Sequence, residues 1–500
     1  MHGVMESTAR ALTADAILAA TGGELRAGGG GGATGVSTDS RTVAPGELFV
    51  ALSGPRETPV RVLRDSHAFL GDAFRRGAWG ALVERRALAD PAVARELAAW
   101  PGRVAVAVPD TLAALGDLAA WHRRRCPVRV VGVTGSNGKT TTREMTAAVA
   151  AVRWRVHRTA GNLNNLLGLP LTLLALRPEH EVAVVELGMN RPGEIRRLAA
   201  IAAPDVAVVT NVGPVHLAGV GDLAGVAVAK AEILEGLAAA GTAVLNADDP
   251  STPALAARWR GATLRFGLAA AADVRGADIE SAGGGTAFTL VLPGGASCRV
   301  EIRWLGEHNV RNALAAAAAA HALGADAAQI RAGLAAARPA PMRFEARVYA
   351  PGVEIVNDAY NANPASMRAA LAALARLPRA ARTALLLGDM LELGDAAPAE
   401  HRALGAAAAA AGPDLLLAVG DFAGEVAAGA RAAGLPAAAV ATAPDAAAAG
   451  DLLAAWLRPG DRVLLKGSRG VRLEGALARL IAAGAIRDEA GDTAAAGGAG

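Results

Sequence analysis

The sequence predicts an α/β protein of three domains. They are a small N-terminal α/β domain, a central phosphate-loop domain on a mostly parallel sheet, and a C-terminal Rossmann-like domain. Three observations predict this. Short β-branched runs alternate with Ala- and Leu-rich helical stretches along most of the 500 residues, as in parallel sheets covered on both faces. One run, Val130-Val131-Gly132-Val133-Thr134, goes straight into the Gly-rich turn Gly135-Ser136-Asn137-Gly138-Lys139-Thr140-Thr141. Several later runs end in polar residues, and open parallel sheets bind ligands beyond the carboxyl ends of their strands.

Composition narrows the class. Hydrophobic residues make up 52%, much of it Ala, a weakly apolar helix former. No run of about eighteen strongly apolar residues suggests a membrane span, and Met1 to Glu6 do not open a secretory signal. Cys126 and Cys298 make neither a disulfide framework nor a metal cluster. A net charge of +3 on this length gives no case for nucleic acid. A soluble cytoplasmic protein, monomeric and without membrane insertion, is expected.

Lysine is scarce. Of 50 basic residues only Lys139, Lys230 and Lys466 are lysine. Arg has taken nearly every position where a positive charge suffices. The three survivors are candidates for work that needs a compact ammonium or an amine able to lose its proton.

In residues 1–127, Thr13 can cap a helix over 14–20 that stops at Gly22-Gly23, and Gly28 to Gly32 form a flexible loop. Ser37-Thr38-Asp39-Ser40-Arg41 fits a phosphate or sugar contact, or a solvated turn. Strands are expected at 48–51, 81–83 and 104–108, and a helix at 111–125.

Pro127 marks a boundary, and 128–337 form the central domain. Gly135 and Gly138 let the backbone approach a polyphosphate, Lys139 supplies charge, and Thr140 offers a hydroxyl to Mg²⁺. The spacing is short: the longer phosphate-loop motif would want Gly at Val133. A helix is expected over 141–152. Strands at 182–185, 206–209 and 243–245 end in Glu186-Leu187-Gly188-Met189, Thr210-Asn211 through His216, and Asn246 to Pro250. Glu186 stands where a strand-end Mg²⁺ ligand belongs. Asn309 and Asn312 precede an Ala-rich helix over 313–321, on one face of its start. They fit a nucleobase edge, or an N-cap with a solvated neighbour.

Residues 338–485 form the third domain, with strands expected at 353–356, 383–387, 415–419 and 463–465. Their ends carry Asn357-Asp358-Ala359-Tyr360-Asn361-Ala362-Asn363-Pro364, Gly388-Asp389-Met390 and Lys466-Gly467-Ser468-Arg469. Residues 486–500, dominated by Ala, Gly, Asp and Glu, are expected to be disordered.

The phosphate-loop run 134–141 resembles the ATP loop of the murein peptide ligases and folylpolyglutamate synthases. Further blocks agree in order: Gly161-Asn162-Leu163-Asn164-Asn165, Val185-Glu186-Leu187-Gly188-Met189, His216, Ala229-Lys230-Ala231-Glu232, His308-Asn309-Val310-Arg311-Asn312, Met342-Arg343-Phe344-Glu345 and the 357–364 run. Gly388-Asp389-Met390-Leu391-Glu392-Leu393-Gly394 and Lys466-Gly467-Ser468-Arg469 resemble the family member that adds D-alanyl-D-alanine to UDP-N-acetylmuramoyl-tripeptide. One block departs: after Gly54-Pro55-Arg56 the family's Phe-Asp-Gly-His gives way to Glu57-Thr58-Pro59-Val60-Arg61-Val62, with His67 later.

The resemblance implies an ATP-driven amide ligase working through an acyl phosphate, with two Mg²⁺ ions. It implies ATP contacts from Gly135, Ser136, Asn137, Gly138, Lys139, Thr140, Thr141, Asn309, Asn312, Arg343 and Asp358, the last on the ribose. It implies metal contacts from Thr140, Glu186, His216 and a carbamylated Lys230, with Lys139, Lys230, His216 and Glu186 as the catalytic set. For substrates it implies Asp39, Ser40, Arg41 (the UDP end, in residues 1–127), Asn162, Asn164, Asn165, Tyr360 and Asn361. The same chemistry on another acceptor, by the tripeptide-forming ligase or a folylpolyglutamate synthase, uses the same loop. A nucleotide-dependent switch would leave His216, Lys230 and a second nucleotide-facing domain unexplained.

Overall fold

The computed structural model describes residues 12–54, 64–215, 217–282 and 285–488. Strand alternation builds each layer. In the N-terminal unit the sheet order is Glu24–Ala27, Val104–Val108, Gly80–Glu84, Leu48–Val50, Val36–Ser37, antiparallel only at the first pair. Leu48, Val50, Leu82, Val104 and Val106 face the helices Ala14–Thr21 and Thr111–Arg125, while Phe49, Ala81, Val83 and Ala107 face Phe74 and Leu70. Thr13 caps the first helix by accepting from Ala16 N–H at 3.2 Å. The departure at 55–63 lies outside the described residues. Just beyond it, buried His67 accepts from Glu84 N–H at 2.9 Å through Nε2 and donates from Nδ1 to Asp65 at 2.6 Å.

The central sheet has nine strands, in the order Ser297–Ile302, Gly285–Val291, Val274–Ala282, Ala262–Gly267, Thr242–Asn246, Val206–Val209, Arg129–Thr134, Val182–Glu186, Val156–Arg158. From Val274–Ala282 to the Val156–Arg158 edge every pairing is parallel, and only the last two are antiparallel. Val131, Val133, Val184 and Val208 pack on one face against the helix Glu307–Ala322, whose residues Ala313 to Ala320 are wholly buried. Ala183, Val185, Ala207 and Val209 pack on the other. The strands between Ala262 and Ile302 go beyond the expected set, since their alternating exposed positions carry Arg, Glu and Ser.

Two helix boundaries shift. The expected 141–152 helix spans Lys139–Ala150, because Gly138 (φ 79°) turns the chain directly into it. The expected 313–321 helix spans Glu307–Ala322, so Asn309 and Asn312 lie inside it and Gly306 takes the cap position.

The third unit's sheet runs Glu345–Tyr349, Val353–Asn357, Arg462–Lys466, Thr383–Gly388, Leu415–Val419, Val440–Ala443, antiparallel only at the first pair. The two outer strands were not expected from the sequence. The expected disorder from residue 486 is corrected for three positions: Ile486 is fully buried, Arg487 N–H bonds Ala350 O at 2.9 Å, and Asp488 pairs with Arg347. Residues 489–500 lie outside the described set. No described helix is long and apolar enough to cross a membrane.

The third unit's strand-end loops meet the central phosphate loop. Asn363 Nδ2 donates to Asn137 Oδ1 at 2.7 Å, and Arg343 Nη2 donates to Thr140 Oγ1 at 3.1 Å. A weaker pair, Arg376 with Glu307 at 3.9 Å, also crosses between the two units.

Candidate active site

The loop between Thr134 and Lys139 is bolted to the neighbouring strand end. Thr210 Oγ1 donates to Asn137 O at 2.6 Å, Asn211 Nδ2 donates to the same oxygen at 3.0 Å, and Asn137 N–H returns to Asn211 Oδ1 at 2.9 Å. Two glycines make this packing possible. A Cβ on Gly135 (φ 143°) would stand 1.9 Å from Thr210 Oγ1, and one on Gly138 would stand 2.1 Å from Asn312 Oδ1. Asn312 Nδ2 donates to Asn309 Oδ1 at 3.1 Å, and Thr142 Oγ1 reaches Asn312 Oδ1 at 3.4 Å. Thus the first two turns of the Ala-rich helix buttress the loop.

Glu186 is the anionic centre. It is buried, and its carboxylate accepts from Asn164 Nδ2 at 2.8 Å, Thr140 Oγ1 at 3.0 Å and Arg143 Nη1 at 3.3 Å. Lys139 Nζ donates to Gly135 O at 2.7 Å. Burial lowers the Lys139 ammonium's pKa while Glu186 opposes the shift. Arg343 lies over the Tyr360 ring, 4.0 Å from its centroid.

Lys230 is wholly buried on the helix Leu223–Ala231, and its Nζ has no hydrogen-bond partner among the described residues. Burial, reinforced by Lys139, drives its pKa well below the usual ammonium range against Glu186 and Glu232. Burial thus disfavours the charged form of this amine.

Two clefts adjoin at this centre. One, of about 500 Å³, is lined by Ser136 to Thr141, Asn309, Asn312, Arg343 and Asp358 among others. The second, of about 330 Å³, is lined by Asn162, Asn164, Tyr360 and Asn361, with Leu391, Glu392, Leu393 and Arg469 from the third unit. Ser136, Lys139, Glu186, Arg343, Asn361 and Asn363 border both. A reagent in each cleft would therefore meet its partner at Lys139, Glu186 and Arg343.

Other sequence candidates stand elsewhere. Asn165 lines neither cleft; its Oδ1 accepts from Leu167 and Gly168 N–H groups at 3.1 and 2.9 Å. Asp39, Ser40 and Arg41 also line neither. Arg41 forks onto Asp39 in the N-terminal unit, and that hydrogen bonding pulls the Asp39 pKa down to about 2. His216 lies outside the described residues. The sequence reading missed Arg143, which is buried against Glu186, and the bracing roles of Thr210, Asn211 and Asn363. Polar residues at the end of a strand beside the phosphate loop were the available signal for Thr210 and Asn211.

Residues 133–320 match the Mur ligase middle domain family, and residues 342–469 match the Mur ligase, glutamate ligase domain family. The UDP-N-acetylmuramoyl-tripeptide–D-alanyl-D-alanine ligase of Escherichia coli (strain K12) is 42% identical over 391 residues, 77% of this chain and 81% of that one. A crystal structure of MurF from Acinetobacter baumannii has a TM-score of 0.83 at 33% identity, covering 94% of this chain and 99% of its own. The MurF ligase from Thermotoga maritima in complex with ADP has a TM-score of 0.74 at 29% identity, covering 89% and 96%.

Proposed function

This chain belongs to the Mur ligases, among the UDP-N-acetylmuramoyl-tripeptide–D-alanyl-D-alanine ligases, and from that premise we infer how its two adjoining clefts make an amide bond. It is an ATP-dependent ligase of peptidoglycan precursor synthesis. The observation that carries the mechanism is the shared border at Lys139, Glu186 and Arg343. ATP fits the cleft floored by the phosphate loop, and the peptide substrates fit the second.

A carboxylate is a poor electrophile, so it must first gain a leaving group. The tripeptide carboxylate attacks the γ-phosphorus, ADP departs, and an acyl phosphate forms. The amine of D-alanyl-D-alanine then attacks the acyl carbon, inorganic phosphate leaves, and the amine sheds a proton. The protein's part is positioning and charge neutralisation. The loop N–H groups and Lys139 hold the β- and γ-phosphates, Arg343 meets the γ-phosphoryl from the third unit, and Asn309 and Asn312 meet the adenine. Asn162, Asn164, Tyr360 and Asn361 hold the tripeptide. Asp39, Ser40 and Arg41, outside both clefts, are left for the distant UDP end, which makes residues 1–127 a sugar-nucleotide domain beside central (128–337) and closing (338–485) ones.

The donor set fits Mg²⁺. Thr140 hydroxyl and Glu186 carboxylate oxygens lie 3.0 Å apart, and both are hard ligands. Held there by Thr140 and Glu186, Mg²⁺ would neutralise phosphate charge and polarise the transferring group. His216 and Lys230 would serve a second ion. Lys230, buried and without a partner for Nζ among the described residues, its ammonium form disfavoured by burial, supports carbamylation: Nζ bonds the carbon of CO₂ and releases a proton, leaving an anion. The reading takes the chain to work as a monomer in the cytoplasm.

Phosphate release by the purified chain with ATP and UDP-N-acetylmuramoyl-tripeptide tests the reading. Turnover should require D-alanyl-D-alanine. Turnover with diaminopimelate, Lys or Glu instead would assign a different acceptor.

A further inference from the structure

The mechanism above uses two of the three lysines. The third, Lys466, ends the strand Arg462–Lys466 in the middle of the third unit's sheet. Its side chain is 4% exposed, and Nζ donates to Asp358 Oδ2 at 2.6 Å and Asn361 O at 3.3 Å. Phe344 N–H donates to Asp358 Oδ1 at 3.1 Å. Each carboxylate oxygen is thus fixed by one donor and keeps acceptor capacity for another. Asp358 and Lys466 both line the ATP cleft, as do His308, Asn309 and Asn312 from the central helix. Arg462 begins the same strand and pairs with Glu354 at 2.6 Å, the kind of charge pairing Arg serves throughout this chain. Only the cleft end of the strand keeps a compact ammonium, which reaches a carboxylate and a backbone carbonyl together.

We propose that Lys466 is a positioning residue for the ribose of ATP: by holding Asp358 Oδ2 it fixes the carboxylate to accept a ribose hydroxyl. This rests on the reading of Asp358 as the ribose contact. His308 supports the placement, because Asp358 and Lys466 pull its titration in opposite directions from across the cleft.

The test compares ATP with 2′-deoxy-ATP and 3′-deoxy-ATP as substrates of the full chain and of Lys466→Met, Asp358→Asn and the double variant. The wild type should prefer ATP over one deoxy analogue by at least about fivefold in kcat/KM. Lys466→Met should raise KM for ATP about tenfold, leave KM for D-alanyl-D-alanine unmoved and lose that preference. Asp358→Asn should lose it equally, and the double variant should be no worse. A Lys466→Met enzyme that keeps the preference while Asp358→Asn loses it would overturn the proposal alone. An Asp358→Asn enzyme that keeps the preference, or a wild type with none, would overturn the ribose reading and the proposal with it. If thermal unfolding shows Lys466→Met misfolded, Lys466→Arg carries the same comparison, since it keeps the charge and displaces the ammonium.

Discussion

Gly138→Ala should cripple nucleotide binding while leaving the chain folded. Gly138 sits at φ 79°, where an L side chain costs about 1–2 kcal/mol. The new Cβ would also stand 2.1 Å from Asn312 Oδ1. Asn312 has no easy retreat, because it is buried and tied to Asn309 and Thr142. Turning its amide away forfeits buried hydrogen bonds worth about 1–3 kcal/mol, and lifting the loop strains its ties to Thr210 and Asn211. The sum, about 2–5 kcal/mol, corresponds to a loss of nucleotide affinity between about thirtyfold and several thousandfold. Isothermal titration with a non-hydrolysable ATP analogue measures it. Gly412→Ala supplies the control: φ is 64° there but nothing lies within 4 Å of a Cβ, so only the strain of about 1–2 kcal/mol in stability is expected, with unchanged nucleotide affinity. Gly138→Ala combined with Asn312→Ala removes the collision. That pair should bind no more than about thirtyfold more weakly than Asn312→Ala alone. Binding by Gly138→Ala within threefold of wild type would refute the packing argument.

Lys230→Arg should lower turnover about a thousandfold or more, roughly 4 kcal/mol of transition-state stabilisation, because a guanidinium can neither shed its proton nor take up CO₂; near-normal activity sinks the carbamate. Burial takes His308 from the ordinary 6.5 down to about 4. Between those values the unfolded chain binds more protons than the folded one, so stability is full above pH 6.5 and falls as pH drops toward 4, by up to about 1.4 kcal/mol per pH unit. Denaturant midpoints across that window should fall less steeply in His308→Gln, and an identical slope would exclude His308 as the source. Asn363 caps the helix Pro364–Leu374 while its Nδ2 reaches Asn137, so Asn363→Ser keeps a cap and loses the interdomain bond. A double-mutant cycle with Asn137→Ala should show coupling of about 1 kcal/mol, fivefold in kcat/KM, and strict additivity would mean the two act separately.

The fold was legible where strands are buried on both faces. Val182 to Val185, Val206 to Val209 and Leu415 to Val419 are uninterrupted apolar runs, and all became inner strands. It was not legible where one face is solvated or the strand lies at an edge. Ser297–Ile302 exposes alternate polar residues, and Glu345–Tyr349 and Val440–Ala443 are edge strands with few buried positions. Local propensity also misplaced the start of the Ala-rich helix. Its first turns read Glu-His-Asn-Val-Arg-Asn, where His, Val and the two Asn are mediocre helix formers. Their helical state goes with tertiary contacts: Asn312, held by Asn309, packs against Gly138 and accepts from Thr142.

The site divides along another line. Where Arg is the default cation, a retained Lys carries information, and all three lysines stand at or near the two adjoining clefts: Lys139 on both, Lys466 on the one floored by the phosphate loop, and Lys230 buried within electrostatic reach of Lys139 and Glu186. The same bias hides functional arginines. Arg143 holds Glu186 from the helix behind it, and Arg343 crosses from the third unit to Thr140. Neither stands out among 47 arginines by residue type. Arg343 was legible only through family resemblance, and Arg143 only once its helix was seen to begin at Lys139, which turns position 143 toward Glu186. Composition can therefore mark a residue whose chemistry its commoner neighbour cannot supply, whereas a residue of the common type is found only through the geometry that buries it.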